Sequence, residues 1–310
     1  MAHEIEHIDG VAQMAYVSEK PWHGLGVQVA GNLTPHEMMA AAGLDWTIEK
    51  VQAKVNDQPI DRYGLVRSSD GKVLDIVSED WNVLQNEEAF DFFSDFIRAA
   101  DMSMETAGSL RGGTIVWGLA RVKESFEVTP GDRVDSYMLF TSYHKYGFST
   151  DVRFSPIRVV CANTLQLSLN QAASRAVKVS HRKKFDADEV KLVLGVAAEK
   201  LEKYKGMAKY LSEAYYTDAK AIEYAMRVFP LPEESKRDIS RNAERLLAIL
   251  PTQPGHEFSE GSYWSLANAA TYMVDHELGR TDDTRLQSAW YGHGKNLKLQ
   301  SMELAMEMAA

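Results

Sequence analysis

The hydrophobic pattern of this 310-residue chain changes period once, near residue 155, and that change constrains the fold more than any motif does. From about residue 45 to 155 the segments are short, alternating and rich in Val, Ile, Thr and aromatics, as in DWTIEKVQAKV, DRYGLVRSS, VLDIVSEDW, GGTIVWGLARV and DSYMLFTSYH. Successive side chains of a strand point to opposite faces, so a period of two describes strands that bury one face of a sheet. SSDG at 68–71 and PGD at 130–132 supply turns between them. Beyond residue 155 apolar positions recur at three and four residues, the spacing of an amphipathic helix. The pattern predicts an α+β protein, with a mostly antiparallel β-sheet packed with helices in the first half and a helical C-terminal half. The expected division is a sheet-containing domain at 1–172 and a helical region at 173–310, packed on the sheet.

Individual helices can be placed by their ends. PHEMMAAAG at 35–43 starts with proline after Thr34 and stops at glycine. In NEEAFDFFSDFIRAA, residues 86–100, Asn86 is the expected cap, Glu87 and Glu88 sit at the positive end of the dipole, and Phe93, Phe96 and Ile97 form a stripe beside Ala89. Asp186 and Glu189 have capping-box spacing at the start of a long helix, and Thr217 opens another. Further helices fit 232–250, 260–278, 281–291 and 294–309. A helix is also expected at the junction of the two halves, where Ser155 and Pro156 supply an N-cap and a first-turn proline. Ile157, Val160, Cys161, Leu165 and Leu169 would then share one face, with Arg158 and Asn163 on the other.

Cys161 is the only cysteine, so an internal disulfide is excluded. In an apolar stripe it reads first as a small core residue, and only a thiolate favoured by the helix start and Arg158 would make it a nucleophile. The start MAHEIEHIDG has neither the basic flank nor the apolar run of a signal peptide, and a cytoplasmic location is expected. No apolar run approaches the roughly 18 to 20 residues that span a bilayer, so no membrane role is expected.

The net charge of −10 lies wholly in the first part of the chain. Residues 1–170 hold 24 Asp and Glu against 14 Lys and Arg, while the remainder balances at 20 against 20. Net acidity argues against indiscriminate nucleic-acid binding, yet screening confines each charge to about 10 Å, so a local basic strip can still hold phosphate. SRAVKVSHRKKF is such a strip, with Arg175, Lys178, His181, Arg182, Lys183 and Lys184. Arg158 adds a planar fork of donors suited to phosphate, and His144 with Lys145 follows the last long strand. Trp117, Tyr137, Phe140 and Tyr143 would offer faces for unpaired bases. Alternation places Tyr137, Leu139, Thr141 and Tyr143 on one face and Met138, Phe140 and Ser142 on the other, and one of those faces must pack on helices.

Catalytic signatures are missing. The chain contains no HExxH, CxxC or GxSxG, and GSLRGG and GHGK lack Walker spacing. His23, His144 and His276 could in principle gather zinc, but Asp275 and His276 are adjacent on a helix and diverge by about 100°. No catalytic residue, metal or cofactor is therefore assigned.

Five stretches carry a family resemblance: GLDW at 43–46, ETAGSL at 105–110 followed by GGTIVWGLA, SPIRVVCANTL at 155–165, WSLANAATYMVDH at 264–276, and LQSAWYGHGKNLKLQSMELA at 286–305. In this order they resemble the signature blocks of the phage/plasmid-like family known as domain of unknown function 932. The resemblance implies a mobile-element protein acting on DNA or against a host defence, in the host cytoplasm if phage-encoded. Where such proteins carry His-Asp-Gly, this chain has His144-Lys145-Tyr146-Gly147, so no role resting on that acid is implied. The architecture is also similar to ring-forming single-strand annealing proteins of phages, an analogy of fold alone. The leading expectation is single-stranded DNA binding or annealing by a homo-oligomer. Its expected contacts are Arg158, Asn163, Arg175, Lys178, Arg182, Lys183 and Lys184, together with His144 and Lys145. The alternatives are a protein-binding inhibitor of a host defence protein, with an acidic surface that mimics nucleic acid, and an enzyme acting through Cys161, His144 and Asn163.

Overall fold

The computed structural model describes residues 5–17, 26–148, 150–158, 163–164, 167–168, 187–279 and 282–310. The chain opens with the short pair β1 (His7–Ile8) and β2 (Val11–Ala12), followed by β3 (Met14–Tyr16), β4 (Val27–Gln28) and helix α1 (Pro35–Ala41). Three longer strands come next, β5 (Ile48–Val55), β6 (Gln58–Arg67) and β7 (Val73–Val77), and then helix α2 (Asn86–Ala99). β8 (Ser103–Leu110), β9 (Ile115–Glu127), β10 (Arg133–Tyr143), β11 (Asp151–Arg158), β12 (Asn163–Thr164) and β13 (Leu167–Ser168) complete the strands. The helices that follow are α3 (Ala187–Glu213), α4 (Asp218–Val228), α5 (Arg241–Ile249), α6 (Tyr263–Tyr272), α7 (Asp282–Tyr291) and α8 (His293–Ala309). The protein is α+β, strands first and helices after.

An eight-stranded sheet has the order β12-β11-β10-β9-β8-β3-β4, with β13 also on β11, and β5-β6-β7 form a separate antiparallel sheet. Pairing is antiparallel between β3 and β8 and between β8 and β9, and parallel between β3 and β4. The chain divides into two compact units. One holds residues 1–123, 137–154 and 168–197, and the other 124–136, 155–167 and 198–310. Each unit is therefore built from segments that interleave along the chain.

In the first unit, Ala89, Phe90, Phe93 and Phe96 of α2 are completely buried. The ring of Phe140 on β10 stacks on Phe93 with centroids 5.3 Å apart and meets Phe90 edge-on. Gly118 on β9 lies beneath this contact, where a Cβ would be in ordinary van der Waals contact with Phe90 and Phe93 at 3.5 Å. Thr34 and Glu37 form a reciprocal capping box on α1, satisfying two of the helix's orphan donors. At α2 the cap is Gln85, not Asn86 as expected. Gln85 is held to β5 by bonds to both backbone groups of Ile48, which fixes the entry of the chain one residue earlier. That frees Asn86 to turn inward.

The second unit packs around Trp264, which is fully buried on α6. Its indole N–H donates to the buried Asp132 carboxylate at 2.9 Å, in the turn between β9 and β10. The Thr129 hydroxyl of that turn donates to the Phe258 carbonyl.

Three expected helices differ from those observed. Residues from Ser155 form no helix: β11 continues to Arg158, and Ile157 and Arg158 lie opposite Thr164 and Asn163 of β12. Buried Val152 and Phe154 alternate with half-exposed Asp151 and Arg153, so a period of two runs into Pro156 and outweighs its helix-start signal. Helix α5 begins at Arg241 rather than 232, since the Ser240 hydroxyl accepts from Ala243 N–H and donates to the Phe229 carbonyl. Helix α6 begins at Tyr263 and passes at Met273–Glu277 into a π-helical turn.

Candidate anion-binding cleft

The helical unit contains a cleft of about 890 Å³, within the range of roughly 300–1,000 Å³ typical of ligand sites. Five local structures build it. The end of α4 brings Arg227, and the start of α5 brings Ser240, Arg241 and Asn242. The π-helical turn presents Val274 and, just beyond it, Leu278. Arg285 and Ser288 come from α7, and His293, Leu297 and Gln300 from α8.

The charge of this lining is one-sided. Among the described residues, Arg227, Arg241, Arg285 and His293 are its ionisable groups, and no Asp or Glu takes part. Arg241 is exposed and pairs with no carboxylate among the described residues. Arg285 is oriented by its Nε–H, which donates to the Leu278 carbonyl at 2.9 Å. Arg227 is partly compensated, with Nη2 donating to Glu307 at 2.8 Å. Two helix N-termini, those of α5 and α8, also line the cleft. Unsatisfied N–H groups give such ends a partial positive charge that adds to the side chains. The carbonyl of Phe229, just past the end of α4, carries the opposite polarity, but it is occupied by the Ser240 hydroxyl. The cleft thus suits a negatively charged ligand, and Asn242 and Gln300 add neutral hydrogen-bonding groups.

Behind the wall lies a buried ion pair. Lys298 on α8 is completely buried and donates to Asp275 of the π-helical turn at 2.6 Å, with Asp275 only 7% exposed. Burial pushes the Lys298 ammonium below its ordinary pKa, and the Asp275 charge opposes that shift. The start of α8 also approaches closely, because a Cβ on Gly294 would fall 2.9 Å from Val274 and 3.1 Å from the backbone of Ser288. Only glycine fits there without displacing the wall.

The residues singled out in the sequence are placed elsewhere. His144 is fully buried in the first unit, where Nε2 lies 2.8 Å from Asn86 Oδ1 and the ring meets Trp46 edge-on. It braces the core beneath Asn86, which also donates to the Leu44 carbonyl, and it offers no face to a phosphate. Lys145 is exposed, over the ring of exposed Phe148 and next to exposed Tyr146. Arg158 and Asn163 are register partners on neighbouring strands rather than one face of a helix. Cys161, Arg175, Lys178, Arg182, Lys183 and Lys184 lie outside the described residues. The expected stacking platform is core: Trp117, Phe140 and Tyr143 are buried, leaving only Tyr137 half-exposed. Asp275 and His276 are also engaged structurally, the first with Lys298 and the second against the Tyr272 ring at 4.6 Å. No group of three or more potential metal ligands occurs among the described residues, and none of their helices is long and apolar enough to cross a membrane.

Fold and cleft together define an α+β protein with an anion-attracting cleft in its helical unit. The family described as "Domain of unknown function (DUF932)" matches residues 73–290, more than half of the chain, and the protein belongs to that family. The matched span holds Arg227, Arg241 and Arg285 and ends just before His293. No curated protein and no solved structure matches the chain.

Proposed function

We propose that the protein binds single-stranded nucleic acid, and that it serves a mobile element by holding or annealing single-stranded DNA. The observation that carries this reading is the cleft with three arginines and a histidine in its lining and no carboxylate among the described residues that line it. Such a site neutralises phosphate without regard to sequence, as annealing requires. It makes and breaks no bonds: the cations offset backbone repulsion while a complementary strand pairs with the exposed bases.

The test is fluorescence anisotropy with a labelled thirty-nucleotide thymidine oligomer across a salt series. Each neutralised phosphate adds about −0.7 to the slope of log K against log salt for single strands, so the three arginines alone give about −2. Absence of salt-dependent binding at low ionic strength would end the proposal. Light scattering after size exclusion, with and without the oligomer, reads the expected self-association.

A further inference from the structure

An apolar groove of about 540 Å³ opens beside the cleft, and Arg227, Phe229, Pro230 and Ser240 line both. The groove adds Ile222 and Met226, one turn apart on the outer face of α4, and Leu231 from the turn that follows. Ile222 is 46% and Met226 38% exposed. Large aliphatic side chains on the surface of a helix gain nothing from water, and neither of these is needed by the core. The buried face of α4 is supplied instead by Ala221, Tyr224, Ala225 and Val228. Among the described residues that line the groove, the one acid is Glu223, which accepts from Lys220 Nζ at 2.8 Å and lies 4.0 Å from Arg227 Nη1.

We infer that this groove seats an unpaired base of the same strand whose phosphate lies in the cationic cleft, making the two depressions one nucleotide site. The inference rests on the reading of the cleft as a phosphate site. Its basis is continuity: a ligand that reaches Arg227 and Ser240 from the cleft already touches the apolar floor of Phe229 and Pro230. A nucleotide of a strand joins a singly charged phosphodiester to a flat ring with apolar faces, and the surface presents those two chemistries side by side in that order. An acyl chain fits less well, because the groove is a short open shelf rather than an enclosed tunnel. The inference also supplies what the buried sheet aromatics do not, a place for bases on the outside of the protein.

Two comparisons test it. The first sets a thymidine oligomer against an abasic oligomer of equal length, which keeps every phosphate and removes every base. The expected result is about tenfold tighter binding of the thymidine oligomer, the usual scale of one base contact. The second uses the surface double variant Ile222→Ser with Met226→Ser, which should bind the thymidine oligomer no better than the abasic one while its salt slope stays unchanged. Equal affinity for the two oligomers, or an unaltered preference in the double variant, overturns the base site and leaves the phosphate reading standing. Failure of both oligomers to bind removes the phosphate reading and the base site together. Binding of anionic phosphatidylglycerol vesicles, lost in the double variant and without preference for thymidine over abasic oligomer, would assign the groove to lipid and overturn the inference.

Discussion

Lys298→Met is the substitution that most directly tests how the cleft is held. The lysine ammonium is completely buried, and its 2.6 Å bond to Asp275 ties α8 to the π-helical turn; both elements line the cleft. Methionine keeps most of the volume but leaves the Asp275 carboxylate 7% exposed and without its cation. Breaking a buried pair in this way costs about 3–5 kcal/mol, a large share of the roughly 5–15 kcal/mol that holds a typical domain together. Replacing both partners, Lys298→Met with Asp275→Leu, removes both desolvation costs and should return stability to within about 1 kcal/mol of the wild type. Urea unfolding followed by far-ultraviolet circular dichroism and by tryptophan fluorescence reads this. With a urea m-value of about 1–3 kcal/mol per molar, the single variant should lose at least about 1 M in midpoint. The pH dependence has a definite sign. Burial lowers the Lys298 pKa in the folded state from 10.5, so the unfolded chain binds more protons between the lowered value and 10.5, and stability rises with pH across that window. Lys298→Met abolishes that alkaline rise. A single variant as stable as the wild type, or a double variant no better than the single, would refute a buried pair that braces the cleft.

Other consequences are open to simpler measurements. Arg241 is exposed and has no carboxylate partner among the described residues, so Arg241→Ala should leave the melting temperature unchanged and reduce the salt slope of oligomer binding by about 0.7. Trp264→Phe deprives the completely buried Asp132 of the indole donor at 2.9 Å and should cost about 1.5–3 kcal/mol in urea unfolding. Gly131 has φ +86°, and a Cβ there would meet Phe258 at 2.8 Å, so Gly131→Ala should destabilise by at least about 1–2 kcal/mol. In the first unit the hydrogen bonds from Arg67 hold the Asp70 carboxyl at about 2, below its ordinary 3.8. That stability is present above pH 3.8 and lost as the pH falls through 2, so Asp70→Asn should flatten the acid limb of the stability curve there.

The parts of the fold that were legible in the sequence are those in which one local rule acts alone. Helix α4 is entered at Thr217 because its hydroxyl meets the Lys220 N–H, a bond within four residues that needs no tertiary context. Strand β10 was legible as a strand, but its two faces were not distinguishable. Met138, Leu139, Phe140, Thr141, Ser142 and Tyr143 are all buried, so alternation marks direction without marking exposure. At residues 155–158 two rules conflict. A serine followed by proline is a sound helix start, yet the preceding alternation carries the chain onward as β11, and pairing with β12 decides the outcome. Asn86 shows the same override, because the expected cap is drawn inward by the Leu44 carbonyl and by His144.

The cleft was hidden for a different reason. Residues 171–310 carry equal numbers of acidic and basic side chains, and a balanced segment gives no sign of a patch. Arg227, Arg241, Arg285 and His293 are spread over 67 positions, and none belongs to a run of like charge. They converge because three helix ends and one π-helical turn meet at one place, while nearby acids pair with arginines outside the lining, Glu277 with Arg245 and Glu244 with Arg237. Sequence neighbours therefore misrepresent the local field. The basic run at 175–184 is visible in the sequence because its charges are contiguous, and it lies outside the described residues. The proposed phosphate site in the helical unit is built instead from arginines that no motif connects and that only the fold brings together.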